Sequence, residues 1–502
     1  MFKISNKNAL FVLLITCTIL FIFNGIFNIN QPILEAHGFR QTQTAISSYY
    51  LSTLDSFLNY QTPVLGEPWS IPFEFPLYQA IANLFSSISG LTLTVSGRLI
   101  SLFTYIGVLL IVINTFNILN FNIYNKLIPI ILIISSPLYL FWSSTFMIEG
   151  LALFLTTCFF YFAIKFSLEL KLRYCFYFGL FLSLALLQKV TTSLPVLFFL
   201  FFYFLYIFKI FLKRKIYIIS LFINCLFPLL LLYFWTSHSD LMKIQNPLAL
   251  GLTSSSLFEW NFGTLSQRIS SELWVDTIFK RDLKNNCFGL FGILICVISI
   301  ILPKNNLKSI ILFLLILFIL PYLIFTNLYI RHDYYPCANL IYYLIAFSLS
   351  LYSITSRFNF KYNFLLIIIL VFFNYNSYFH SYFNYKKLDI NSSNNKILQI
   401  ADIIKTKTSN NRPVVFYGFD WSSEISFYSE RKSLTVPNWS NFEIETITNL
   451  NRYLPSLHPS AVVLCPTAHS KEIRNFLLDY IPKSTIIIHQ DCEIYIFEFT
   501  SN

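Results

Sequence analysis

Apolar runs of about 17 residues or more recur eleven times along this 502-residue chain, and they constrain its fold more than any other feature. They lie near 9–28, 95–119, 127–142, 146–165, 174–190, 193–212, 216–235, 287–302, 309–326, 336–355 and 363–380. A helix of that length matches the hydrocarbon thickness of a bilayer, so the chain reads as a polytopic α-helical membrane protein of about 11 transmembrane helices. Charged residues make up 12% of the chain and hydrophobic ones 56%, where a soluble domain carries about 25% charged. An ordinary cytosolic enzyme, a disordered chain and a secreted disulfide scaffold are thereby excluded. A further apolar segment, 76–89, is too short to span and reads as interfacial. The run from Ala9 to Ile26 follows Lys3 and Lys7, exceeds a signal-peptide core and lacks a small-x-small cleavage site. It is expected to be an uncleaved first span.

The formal charge of +11 is unevenly placed. Residues 1–389 hold 25 Lys/Arg against 13 Asp/Glu, whereas 390–502 hold 10 against 11. The basic excess belongs to membrane loops, so no nucleic-acid partner is expected. Lys3 and Lys7, Lys126, Lys165/Lys171/Arg173, Lys213-Arg214-Lys215, Lys304/Lys308 and Arg357/Lys361 fall at alternate loops. The positive-inside rule then puts the N-terminus in the cytoplasm and the tail outside. On that topology Glu169 faces the cytoplasm, while Glu35, Asp55, Glu67, Glu74, Glu149, Asp240, Glu259, Glu272, Asp276, Asp282 and Asp333 face outward. Any carboxylate chemistry is expected at the outer membrane–water boundary.

Two domains are expected: 1–389 in the membrane, with long outer loops 29–75 and 236–286, and an extracytoplasmic α/β domain over 390–502. In the tail, strand-like runs (413–418, 461–466, 484–490, 493–499) alternate with helical stretches (395–407, 441–453, 469–480). Seven of the nine cysteines lie before residue 340, mostly in apolar runs, and read as small buried hydrophobes. Cys465 and Cys492 adjoin strand-like runs and can pair if the tail is outside.

The first outer loop is rich in groups suited to chemistry. EAHGFRQTQTAISSYYL (35–51) packs Glu35, His37, Arg40, Gln41 and Gln43 into nine residues beside the membrane. Residues 39–58 are expected to form a helix lying on the membrane. Glu74, flanked by Phe73, Phe75 and Pro76, suits a desolvated general base of raised pKa, or equally a helix N-terminal charge. Glu149 opens the fourth span. Lys189, in LLQKVTT (186–192), closes the fifth and either snorkels or neutralises a phosphate. NLYIRHDYYP (327–336) adds Arg331, His332, Tyr334 and Tyr335, the tyrosines being alternatively an aromatic belt. No HxxxH or CxxC spacing supports zinc. Arg268 in WNFGTLSQR (260–268) and Trp421 in DWSSEISFYSERK (420–432) sit in segments combining a Trp with polar groups, either sugar platforms or buried structural tryptophans.

In this order, HGFRQTQTA, EFPLYQ, SPLYLFWSSTFMIE (136–149), LLQKVTT, WNFGTLSQR, HDYYP and DWSSEISFYSERK resemble the GT-C membrane glycosyltransferases. The likeness is to the bacterial glycosyltransferase family 39-like group, relatives of protein O-mannosyltransferases and the lipid A aminoarabinose transferase. The resemblance implies a GT-C type membrane domain in the bacterial cytoplasmic membrane, with the C-terminal domain outside. It implies inverting transfer of a sugar from a polyprenyl-phosphate donor to a glycan, lipid or protein acceptor of the cell envelope. Several relatives carry an acidic pair before the arginine, with an Asp as base; here His37-Gly38-Phe39 precede Arg40, leaving Glu35, Glu74 and His37 as candidate bases. Arg40, Gln41, Gln43, Glu149, Lys189, Arg268, Arg331, His332, Tyr334, Tyr335 and Trp421 are the expected substrate-binding set. A phosphate leaving group needs cations rather than a general acid, and a divalent metal is an alternative to some of them. No other cofactor is expected. Membrane lipids are expected partners, with lipid tails lying along the aromatic-rich spans.

The rival readings are a lipid-linked polysaccharide polymerase or ligase, a lipid or sugar transporter, and a non-catalytic envelope receptor. Transport fits poorly with 13 glycines, no visible repeat, and charges away from the bilayer midplane.

Overall fold

The computed structural model describes residues 6–51, 57–207, 214–302, 306–356, 360–438, 442–480 and 484–497. Lys3, Asp55, Lys213, Lys304, Arg357, the Lys361 side chain and the ends of runs 193–212 and 493–499 lie outside them. The chain divides into two compact units. The first comprises Met1–Ile29, Arg98–Trp235 and Phe258–Lys387; the second comprises Asn30–Gly97, Thr236–Leu257 and Leu388–Asn502.

The first unit is helical, and the chain is a multi-pass membrane protein. Five helices are long and apolar enough to cross a bilayer: Lys7–Ile26, Leu93–Ile118, Glu149–Glu169, Lys215–Ile244 and Tyr362–Ser381. A sixth span results if Glu272–Lys284 and Gly289–Ile301, meeting at 91°, are taken together. Phe288 (φ 67°) and Gly289 (φ 52°) both take left-handed backbone at that corner, which ends one helix and restarts the next in a new direction. Ile123–Ser135, Leu172–Gln188, Val190–Leu205, Lys308–Ile324 and Leu340–Thr355 are apolar but shorter. The run at 127–142 is two helices because Ser136 is extended and Pro137 opens Pro137–Trp142 at its first position.

In the second unit a five-stranded sheet forms from β1 (Val414–Tyr417), β2 (Ser433–Thr435), β3 (Ala461–Leu464), β4 (Ser484–His489) and β5 (Cys492–Phe497). The order is β2-β1-β3-β5-β4, with β1 parallel to β2 and β3, and β5 antiparallel to β3 and β4. The alternating strand-like and helical runs of the tail thus become a mixed α/β sheet. β2, only three residues long, gives too brief a pattern to stand out in sequence. Cys465 and Cys492, at the ends of β3 and β5, form a disulfide.

Strand alternation sends successive side chains to opposite faces. Val414, Phe416, Ala461 and Val463 pack with Ile400, Ala401 and Ile404 of the Lys396–Lys407 helix. Val415, Tyr417, Leu434 and Val462 face the other way, against Ile46, Val64, Leu65 and Ile71 of the first loop and Leu248, Ala249 and Leu252. The central strands are therefore buried on both faces.

The loop also covers the β2 edge. Ser433 and Thr435 N–H donate to the Pro63 and Val64 carbonyls at 3.0 and 2.7 Å, and Gly66 N–H donates back to Ser433 at 3.0 Å. Gly66 takes φ +75°, and a Cβ there would stand 2.6 Å from the Tyr453 carbonyl oxygen. Buried Asn246 clips the turn, donating to the carbonyls of Leu65, Gly66 and Pro68 while accepting from Leu248 and Ala249 N–H.

One expectation is corrected. Instead of a surface helix over 39–58, the structure has Gly38–Tyr49 with nine of its residues buried. Its Thr, Ser and Gln side chains find protein partners: Thr42 bonds Ser423, Ser47 bonds Thr62, and Ser48 donates to the Gln79 carbonyl.

Candidate functional site

Within the second unit, the Gly38–Tyr49 helix presents Arg40 in its first turn. His37, at φ 48°, turns the chain into the helix, so Arg40 and Gln43 follow one turn apart on one face. Arg40 Nη1 donates to Gln43 Oε1 at 2.5 Å and Nη2 to Glu74 Oε2 at 3.0 Å. Gln79 Nε2 donates to Glu74 Oε1 at 2.7 Å. The backbone holding Glu74 is itself fixed, since Tyr60 Oη donates to the Glu74 carbonyl and accepts from Phe73 N–H.

The raised pKa expected of Glu74 as a base is corrected. Burial pushes its carboxyl upward, but the Arg40 guanidinium together with hydrogen bonds from Gln79 and the backbone holds it below the ordinary carboxylate range. Both oxygens are occupied, Oε2 by Arg40 and Oε1 by Gln79.

Other predicted residues gather nearby in the same unit. Gln41 donates to the Ala36 carbonyl, and Glu35 is buried at 5% exposure. Trp421 stands edge-on to Phe39 at 5.0 Å and tilted against Phe73 at 6.0 Å, so the indole is held by aromatic packing. Sequence reasoning missed Lys243, which is 6% exposed and lies 5.0 Å over the Phe73 ring. Its signal was a lone cation ending an apolar helix.

The first unit carries a separate cluster. Glu149 starts the Glu149–Glu169 helix and Lys189 follows Leu172–Gln188; Nζ and Oε1 meet at 2.5 Å, with the side chains 10% and 5% exposed. Lys189 therefore points inward rather than snorkelling. Its Nζ lies 4.2 Å over the Tyr335 ring and 5.4 Å over Tyr334. His332 stacks on Tyr335 at 5.6 Å and lies against Tyr334. Two tyrosines, a histidine and an ion pair thus form one polar-aromatic nest.

Arg268 is used otherwise, donating to the carbonyls of Leu323, Gly263 and Phe262. Arg331 is exposed. Two buried cations escaped sequence reading: Arg98 Nη1 donates to the Ser144 carbonyl at 3.1 Å and Lys386 Nζ to Ser144 Oγ at 2.7 Å. Arg98 could have been flagged as a lone charge within an apolar run. An apolar cavity of about 270 Å³ opens in this unit, lined in part by Phe116, Phe160, Tyr203 and Phe313. Among the described residues no three His, Cys, Asp or Glu side chains gather as a metal site.

No family model matches the sequence, and no curated protein matches it by sequence. Solved structures match its architecture. ArnT from Cupriavidus metallidurans, solved bound to undecaprenyl phosphate, superposes with a TM-score of 0.65 over 96% of this chain and 97% of its own, at 10% identity. This chain has the GT-C fold. The same GT-C architecture appears in the archaeal oligosaccharyltransferase AglB from Archaeoglobus fulgidus, in complex with an inhibitory peptide and a dolichol-phosphate. That match has a TM-score of 0.56, 12% identity, and coverage of 90% of this chain and 69% of AglB. The arabinofuranosyltransferase AftD from Mycobacteria matches with a TM-score of 0.57 at 10% identity, over 97% of this chain but 40% of AftD. At these identities it is the GT-C fold that is shared.

Proposed function

We propose that this chain is a membrane glycosyltransferase that moves a sugar from a polyprenyl-phosphate donor to a cell-envelope acceptor, with inversion at the anomeric carbon. The observation that carries the reading is the end-to-end fold match to ArnT, a protein solved with undecaprenyl phosphate bound. The chemistry needs a base for the acceptor hydroxyl and cations for the departing phosphate. Arg40 and Lys189 are the cations we assign to phosphate or sugar binding. The apolar cavity offers room for prenyl chain.

We further propose eleven spans: the five long helices, the bent pair and the five shorter helices. With an odd count and Lys/Arg at alternate loops, the N-terminus lies in the cytoplasm of a bacterial cell and the tail outside. The Cys465–Cys492 disulfide supports that side, since such bonds persist in oxidising compartments.

The test is transfer by purified protein in nanodiscs, supplied with a panel of polyprenyl-phosphate monosaccharides and lipid-linked oligosaccharides. We expect sugar release or transfer from at least one monosaccharide donor, lost in Lys189→Ala. Turnover of oligosaccharide donors alone would move the assignment to a polymerase or ligase. Inactivity with every donor would overturn the transferase reading.

A further inference from the structure

The transferase reading leaves open which group takes the proton from the acceptor, and the structure offers a carboxylate that the sequence did not single out. Glu424 opens the Glu424–Ser429 helix of the tail, next to Trp421 and Ser423. Its Oε1 stands 2.6 Å from where a Cβ at residue 38 would be, so Gly38 leaves the space that this oxygen fills. The carboxylate thus rests on the first turn of the Gly38–Tyr49 helix, the turn that carries Arg40.

Its position is fixed by neighbours on both sides. Thr42 Oγ1 and Ser423 Oγ lie 2.8 Å apart, and Ile33 N–H donates to Tyr428 Oη at 2.7 Å. Phe39 and Trp421 pack edge-on at 5.0 Å. Together they clamp the tail segment 421–428 against residues 33–42.

Three other carboxylates of the second unit are engaged elsewhere, and Glu35, at 5% exposure, is more enclosed. Glu74 is held by Arg40 and Gln79, Glu430 pairs with Lys405, and Glu67 accepts from Ser456 N–H. Glu424 makes no ion pair among the described residues and is only partly buried, so a hydroxyl can reach it. Burial pushes its carboxyl above the ordinary carboxylate range, against a lowering hydrogen bond from Ser422, which is the direction a proton acceptor needs.

We propose that Glu424, delivered by the tail against Gly38, is the general base of the transfer, a role that rests on the transferase reading above. The acceptor oxygen attacks the anomeric carbon and its proton passes to Glu424 Oε1. The bond from that carbon to the phosphate oxygen breaks, and the electron pair leaves with the polyprenyl phosphate. Gly38 is then a positioning residue, because any side chain there would displace the carboxylate.

The experiment compares wild type, Glu424→Gln, Glu424→Asp, Glu424→Ala and Gly38→Ala in nanodiscs with the donor the wild type uses. Glu424→Gln should lower kcat at least about 100-fold while the donor KM changes less than about threefold. Glu424→Asp should recover at least about tenfold over Gln, and added formate should raise the turnover of Glu424→Ala. Gly38→Ala should lower kcat alone but add little to Glu424→Gln, as expected of one displaced group. A Gln variant with kcat within threefold of wild type overturns the proposal, and so does failure of formate to raise the activity of a folded Ala variant. Wild-type inactivity with every donor would instead overturn the transferase reading itself, which separates the two failures.

Discussion

Arg40 and Glu74, 34 residues apart in sequence, meet through a 3.0 Å charged hydrogen bond with side chains 22% and 11% exposed. Two features that looked independent in sequence, a cation in one motif and an acid in the next, are one unit. The acid's character follows from its partner.

Glu74→Gln should therefore destabilise the second unit at neutral pH, because it leaves Arg40 in a partly buried place without its counter-charge. Glu74 titrates below the ordinary carboxylate range in the fold, so its contribution is full above that range and is lost as pH falls through the lowered value. Thermal unfolding should show a gap between wild type and variant at pH 7 that closes on acidification. A gap that persists unchanged to pH 3 would contradict the pairing.

Lys189 and Glu149 should be coupled in stability. Removing either strands the other in a site at most 10% exposed, a loss of about 3 kcal/mol by comparison with other buried pairs. A double-mutant cycle with Lys189→Ala and Glu149→Ala should give a double loss well below the sum of the singles. Additive losses would mean that the two do not act as a pair.

Leu65→Ala should loosen the first loop from the tail sheet. Leu65 is fully buried and bridges Leu434, so the truncation should cost about 2–5 kcal/mol. Hydrogen exchange of Ser433 and Thr435 amides, which donate to this loop, should accelerate. Unchanged protection at both amides would argue against the loop as cover for β2.

Protein isolated from membranes without reductant should resist alkylation at Cys465 and Cys492. Cys492→Ser should free Cys465 for labelling and lower stability by about 3–4 kcal/mol, from the 27-residue separation. Labelling of both cysteines in native wild type would count against both the bond and the outer location of the tail.

Local periodicity accounts for what the sequence alone determined. Length and apolarity set where the apolar helices lie: helices stand at all eleven runs, and five of them, or six with the bent pair, are long and apolar enough to cross a bilayer. Alternation in the tail foretold strands at 414–417, 461–464, 484–489 and 492–497. Such patterns are properties of neighbouring residues, so no tertiary knowledge is needed to read them. Cys465 and Cys492 were visible as candidates for the same reason.

Tertiary structure decided the rest. The second face of the sheet is too apolar to leave in water, and the cover comes from Ile46, Val64, Leu65 and Ile71 and from Leu248, Ala249 and Leu252, far away in the chain. That burial brings Ser423 within 2.8 Å of Thr42 across 381 residues and sets Glu424 against Gly38. It also reverses the direction of the pKa shift expected of Glu74 as a base, because a carboxylate's pKa depends on which cation stands beside it, and spacing along the chain does not encode that neighbour.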